Sequence, residues 1–215
     1  MQSKESKIVE LFFNATLKEW RFKEIQQEID IADSKLSRWL DILEKETVIK
    51  RIKKKGAMPY YLANIESHQY WSRKWLYGMN MLMNSGLFRD LRKIKKAKLI
   101  LLYGSFASGD WHNDSDIDVF IFGDTVSHRI ISEYSEKLGR NIHVLSAKTW
   151  KDVLRIPPGL MASIYAGHVI KGDRGIFAAE TTIEPGLPLL RRTARAMLHS
   201  ESIDKESFRP HTPVP

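Results

Sequence analysis

Leu99-Ile100-Leu101-Leu102-Tyr103 is an unbroken apolar run that ends on Gly104-Ser105. Such a run, closed by a glycine turn, reads as a strand buried on both faces. A second apolar stretch follows Asp116-Ile117-Asp118, with ten residues between Ser105 and Asp116. Glycine lets the backbone turn tightly and approach a ligand, because it has no Cβ. Ser105 adds a hydroxyl, and a helix opening at this turn would aim free N–H groups at a phosphate. Asp116 and Asp118 alternate along the second strand, so both side chains leave one face, with Cα atoms ~6–7 Å apart. Two carboxylates so placed repel unless a cation joins them. Mg²⁺ commonly takes one or two carboxylates together with substrate phosphates.

The rest of this half of the chain supplies the elements that two such strands need. Residues 126–138 have helical periodicity and residues 141–146 read as a third strand. Residues 149–154 and 160–169 are expected as short helices. On the third strand Ile142 and Val144 face the core, which turns His143 toward the face that carries the two aspartates.

The first 65 residues have another character. Ile8, Leu11 and Phe12 share a helical face, Phe22, Ile25 and Ile29 share a second, and Leu36, Trp39, Leu40 and Leu43 share a third that opens on Asp33 as N-cap. Residues 48–52 and 60–62 then read as two strands joined through Lys53-Lys54-Lys55-Gly56. Three short helices and a ribbon outline a winged helix-turn-helix. Its third helix would leave Ser34, Lys35, Ser37 and Arg38 outward, suited to groove edges and phosphates of double-stranded DNA, with Lys53, Lys54 and Lys55 at the wing tip. A homodimer would present two such helices to two half-sites. Between the halves, Trp71, Trp75, Leu76, Met79, Leu82 and Met83 form a stripe expected to make a bridging helix within residues 66–98.

The spacing Gly104-Ser105, ten residues, Asp116-x-Asp118 resembles the signature of the DNA polymerase β-type nucleotidyltransferases, in their minimal branch. With Leu138-Gly139-Arg140 before the third strand, residues 1–172 resemble prokaryotic fusions of a helix-turn-helix to such a core. The resemblance implies an α+β chain: a winged helix over 1–65, a bridging helix over 66–98, a mixed-sheet core flanked by helices over 99–172, and an extension over 173–215. It implies a nucleoside triphosphate as substrate, ATP first among them, held by Gly104, Ser105, Asp116 and Asp118. Mg²⁺, or Mn²⁺ in its place, would sit on Asp116 and Asp118. The implied reaction is transfer of a nucleotidyl group to a hydroxyl of a protein or a nucleic acid, as in antitoxins that modify a partner toxin. Active members place a third carboxylate on the next strand, where this chain has His143. That substitution supports the alternative of a DNA-binding regulator whose domain only senses nucleotide.

Composition narrows the field. With no cysteine among 215 residues, disulfide scaffolds, thiolate metal sites and cysteine nucleophiles are excluded. The net charge of +8 favours a polyanionic partner. Residues 1–65 hold 13 Lys and Arg against 10 Asp and Glu, so the excess there is modest. No apolar run has a membrane-spanning length and no signal peptide is visible, which sets the expectation of a cytoplasmic protein. A basic helix is expected within residues 187–198, followed by a loose tail.

Overall fold

The computed structural model describes residues 4–177, and the helix and tail expected beyond residue 186 lie outside them. The chain divides into two units at Lys171–Gly172. The second is described only as far as Phe177, as a turn in which the Ile176 N–H donates to the Asp173 carbonyl.

The first unit begins with α1 (Lys4–Asn14), which buries Ile8, Phe12 and Phe13 and leaves Leu11 half-buried. Next come β1 (Trp20–Arg21), α2 (Phe22–Ile29), α3 (Asp33–Lys45), β2 (Ile49–Ile52) and β3 (Tyr60–Ala63). The three strands form an antiparallel sheet in the order β1-β3-β2. β1 is too short for any periodicity to reveal. Its Trp20 and Arg21 pair with Tyr61 and Tyr60, and the Arg21 guanidinium donates to the Met58 carbonyl at 2.9 Å. Asp33, expected as the cap of α3, is instead its first residue. Ala32 holds the cap position, and the Asp33 carboxylate accepts from the Gln26 amide.

The stretch expected as one bridging helix is two. α4 (His68–Ser85) stops at Gly86, whose φ of 94° breaks the helical path, and α5 (Leu87–Arg92) starts directly after it. The Ser85 hydroxyl spans the break, donating to the Leu82 carbonyl and accepting from the Leu87 N–H. The buried face of α4 also differs from the expected stripe. It carries Tyr70, Lys74, Gly78 and Leu82, while Leu76 and Met83 are exposed. The reason is Trp111, whose indole lies against Gly78 so closely that a Cβ there would sit 2.7 Å from Nε1. A large side chain elsewhere in the chain thus fills the face that α4 leaves empty.

The second sheet contains β4 (Leu99–Tyr103), β5 (Ile117–Phe122), β6 (Ile142–Ala147) and β7 (His168–Lys171), in the order β6-β5-β4-β7. β4 runs antiparallel to β5 and β7, and β5 runs parallel to β6. The parallel pair needs a crossover, which α7 (His128–Leu138) supplies. α6 (Gly104–Ser108), α8 (Trp150–Val153) and α9 (Pro158–Ala166) complete the unit. The helix expected over 160–169 therefore ends at Ala166. The chain turns back through Gly167, which lies so close to the Leu102 carbonyl that no side chain would fit, and pairs with β4 as β7.

One hydrophobic cluster runs from Ile8 to Ile170 and takes residues from both sheets. Trp111 sits within it at 1% exposure, stacked on Phe106 with centroids 5.4 Å apart and edge-on to Phe13 at 6.1 Å. The boundary expected at residue 65 is accordingly no break in the core.

Candidate active site

β4 delivers the chain to Gly104 beside Asp118. Tyr103 pairs with Asp118 across the β4–β5 ladder, and Asp118 pairs in turn with His143 on β6. Residues in register on neighbouring strands project from a common face. Gly104 has φ +70°, and a Cβ there would overlap the Asp118 carboxylate. Both the backbone and the space require glycine. Ser105 follows as the second residue of α6.

Asp116 stands just before β5 and reaches the same place. His143 Nδ1 lies 3.6 Å from Asp116 Oδ2 and 3.9 Å from Asp118 Oδ1. These separations exceed a hydrogen bond and become ion pairs when the ring is protonated. Burial raises the Asp118 pKa above the ordinary carboxylate value; His143 opposes that shift and Asp116 adds to it. His143 supplies the pair with a counter-charge when its ring is protonated.

The loop that carries Asp116 is braced from several directions. The Ser115 hydroxyl accepts from the His112 N–H at 2.8 Å. The Arg140 guanidinium donates to the carbonyls of His112, Asn113 and Ser115 at 2.7, 2.8 and 3.1 Å. An open cleft of ≈ 540 Å³ runs beside this loop, with Asp114, Asp116, Glu136 and Asn141 among its walls.

Among the described residues no group of three or more His, Cys, Asp or Glu is arranged to hold a metal ion. The fit to Mg²⁺ rests on two under-neutralised carboxylates that leave the remaining positions to phosphate and water, and that donor set suits the ion. A nitrogen ligand at His143 would suit Mn²⁺ better than Mg²⁺.

Residues 85–164 match the family model of the nucleotidyltransferase domain. The match runs from the last residue of α4 into α9. It begins earlier than the expected 99 and ends before β7. Two solved structures are similar at low identity. The toxin-antitoxin MntA-HpeT in mutant form has 20% identity and a TM-score of 0.35, covering 57% of this chain and 98% of that one. A toxin-antitoxin with AMP-PNP has 21% identity and a TM-score of 0.36, covering 57% and 97%. Among curated proteins the chain has no match.

Gly104, Ser105, Asp116, Asp118 and His143 all lie within the matched residues, four of them in direct proximity. Ser34, Lys35, Ser37 and Arg38 are exposed on α3, and Lys53, Lys54 and Lys55 are exposed between β2 and β3, outside that match. Sequence reasoning placed Arg140 before the third strand but missed its bracing role, and it missed Trp111 altogether. A guanidinium that braces a loop cannot be told from a surface one by sequence spacing, and Trp111 falls in a stretch without periodicity. Among the described residues no helix is long and apolar enough to cross a membrane.

Proposed function

We propose that this chain is a Mg²⁺-dependent nucleotidyltransferase that moves a nucleoside monophosphate from a triphosphate such as ATP to an acceptor hydroxyl. The observation that carries the reading is the Asp116–Asp118 pair, packed against a turn that only Gly104 can make. Asp116 and Asp118 would hold the ion, which when bound neutralises charge on the phosphates. The turn at Gly104-Ser105 admits the phosphate chain close to the backbone. The acceptor oxygen attacks the α-phosphorus, the bond to the departing oxygen breaks, and pyrophosphate leaves. The acceptor is a hydroxyl on a protein, as in an antitoxin that modifies a toxin, or on a nucleic-acid end. His143, largely exposed and facing both carboxylates, can take the proton that the hydroxyl loses.

The same residue favours a second reading, a DNA-binding regulator whose domain binds nucleotide without turnover. His143→Asp separates the two. If His143 takes the proton, the change is expected to lower single-turnover transfer from α-labelled ATP and to shift its pH dependence away from neutrality; a rise of about tenfold or more would mean that the missing oxygen ligand limits turnover. No transfer by either protein, with Mg²⁺-ATP still bound, would assign the chain to sensing.

The first three helices and their sheet are proposed as a winged helix that binds double-stranded DNA, with α3 toward the groove and Lys53, Lys54 and Lys55 on the backbone. Because the core is shared, the test uses the full chain. Replacing the three lysines with Ala is expected to flatten the salt dependence of duplex binding by about 0.9 in log–log slope for each phosphate no longer neutralised. Arg38→Ala is expected to change preference among sequences. Absence of duplex binding by the full chain at low salt would remove this part of the proposal.

A further inference from the structure

Arg140 and the end of α1 meet at the loop that carries Asp116. One guanidinium nitrogen, Nη1, serves the carbonyls of His112, Asn113 and Ser115, and the other, Nη2, donates to the Asn14 side-chain oxygen at 2.9 Å. The Asn113 N–H donates to the Asn14 carbonyl at 3.2 Å. The guanidinium also lies over the rings of Phe106 and Trp111, 5.2 and 5.4 Å from their centroids. Asn14 is the last residue of α1, far outside the matched nucleotidyltransferase domain. The loop thus takes its shape from a planar cation that is itself held by the N-terminal segment.

We infer that Arg140 is a positioning residue that fixes Asp116 beside Asp118, and that Asn14 makes this placement depend on α1. The inference rests on the reading of Asp116 and Asp118 as metal-holding carboxylates. Three carbonyls that converge on one point repel one another; the His112 carbonyl also accepts from the Ser115 N–H at 3.1 Å, and the guanidinium is the group that draws all three together. A lysine cannot replace the fork, because a single ammonium on a flexible stem does not span the carbonyls, Asn14 and two rings together. Since Asp116 follows Ser115 directly, a loosened loop moves the carboxylate away from Asp118 and His143.

The test uses the full chain with Arg140→Lys and, as a milder change, Asn14→Ala. Amide exchange across residues 113–117 is expected to quicken about tenfold or more in Arg140→Lys, the loss of charge-assisted hydrogen bonds being of that size. At fixed pH, the His143 ring signals in NMR are expected to move as they do in Asp116→Asn. The Mg²⁺ concentration for half-maximal ATP binding is expected to rise about tenfold, with metal-free nucleotide binding unchanged. Asn14→Ala is expected to give the same changes at smaller size. Unmoved His143 signals in Arg140→Lys, whatever its melting temperature does, would overturn the inference, as would an unaltered Mg²⁺ requirement. If the natural protein binds no ATP with Mg²⁺, the nucleotide reading fails by itself, and the exchange and His143 measurements still decide the role of Arg140.

Discussion

Gly104→Ala is expected to lower nucleotidyl transfer by about 10²-fold or more while the protein remains folded. Two costs arise at this residue. A φ of +70° costs a non-glycine residue about 1–2 kcal/mol, which a core of this size can absorb. The second cost falls on the chemistry, because the added methyl occupies the space of the Asp118 carboxylate. Relief requires Asp118 to rotate away, and a displaced ligand or phosphate cradle loses rate steeply for small movements. Steady-state transfer together with a thermal melt checks this. A variant with natural turnover would show that the turn does not shape the site.

Lys74→Met is expected to stabilise the protein, by about 1–3 kcal/mol at neutral pH. Lys74 is 1% exposed, and its ammonium donates to the Thr16 hydroxyl over a long 3.3 Å. The rings of Tyr70, Trp71 and Trp111 surround it at 5.6, 5.3 and 5.3 Å and return part of the lost hydration. Burial nonetheless lowers its pKa to about 8 from the ordinary lysine value of 10.5. A lysine whose folded pKa is depressed binds fewer protons when folded than when unfolded, so its stability contribution improves as pH rises. The penalty is fully present below pH 8 and is relieved between about 8 and 10.5. The advantage of Lys74→Met is therefore largest below pH 8 and shrinks above it. Urea melts of both proteins at pH 7, 9 and 10 measure the difference, and a less stable Met variant at pH 7 would mean that the aromatic cage more than repays the buried charge.

What the sequence discloses depends on whether a signal is local. The strands β4, β5 and β6 are legible because apolar runs and alternation are written in consecutive residues. The Gly104-Ser105 and Asp116-x-Asp118 spacing is legible for the same reason, and the register that sets His143 beside Asp118 follows from which face the aspartates take. β1 and β7 are not, since a two-residue strand has no period and β7 follows α9 across a single glycine. The buried face of α4 is hidden from periodicity because burial there is decided by Trp111, distant in sequence, which lets Gly78 and Lys74 point inward and leaves Leu76 and Met83 out. The bracing role of Arg140 escapes notice because its partners are backbone carbonyls, and any sequence supplies those.

Asp116 and Asp118 are proposed to bind nucleotide phosphate through a shared divalent ion. Isothermal titration of ATP into the full chain, with and without Mg²⁺, tests this most directly, alongside the Asp116→Asn, Asp118→Asn double variant. Saturable heat is expected with Mg²⁺, little without it, and none from the double variant under either condition. Equal binding with and without the metal, or full Mg²⁺-dependent binding by the double variant, would contradict it.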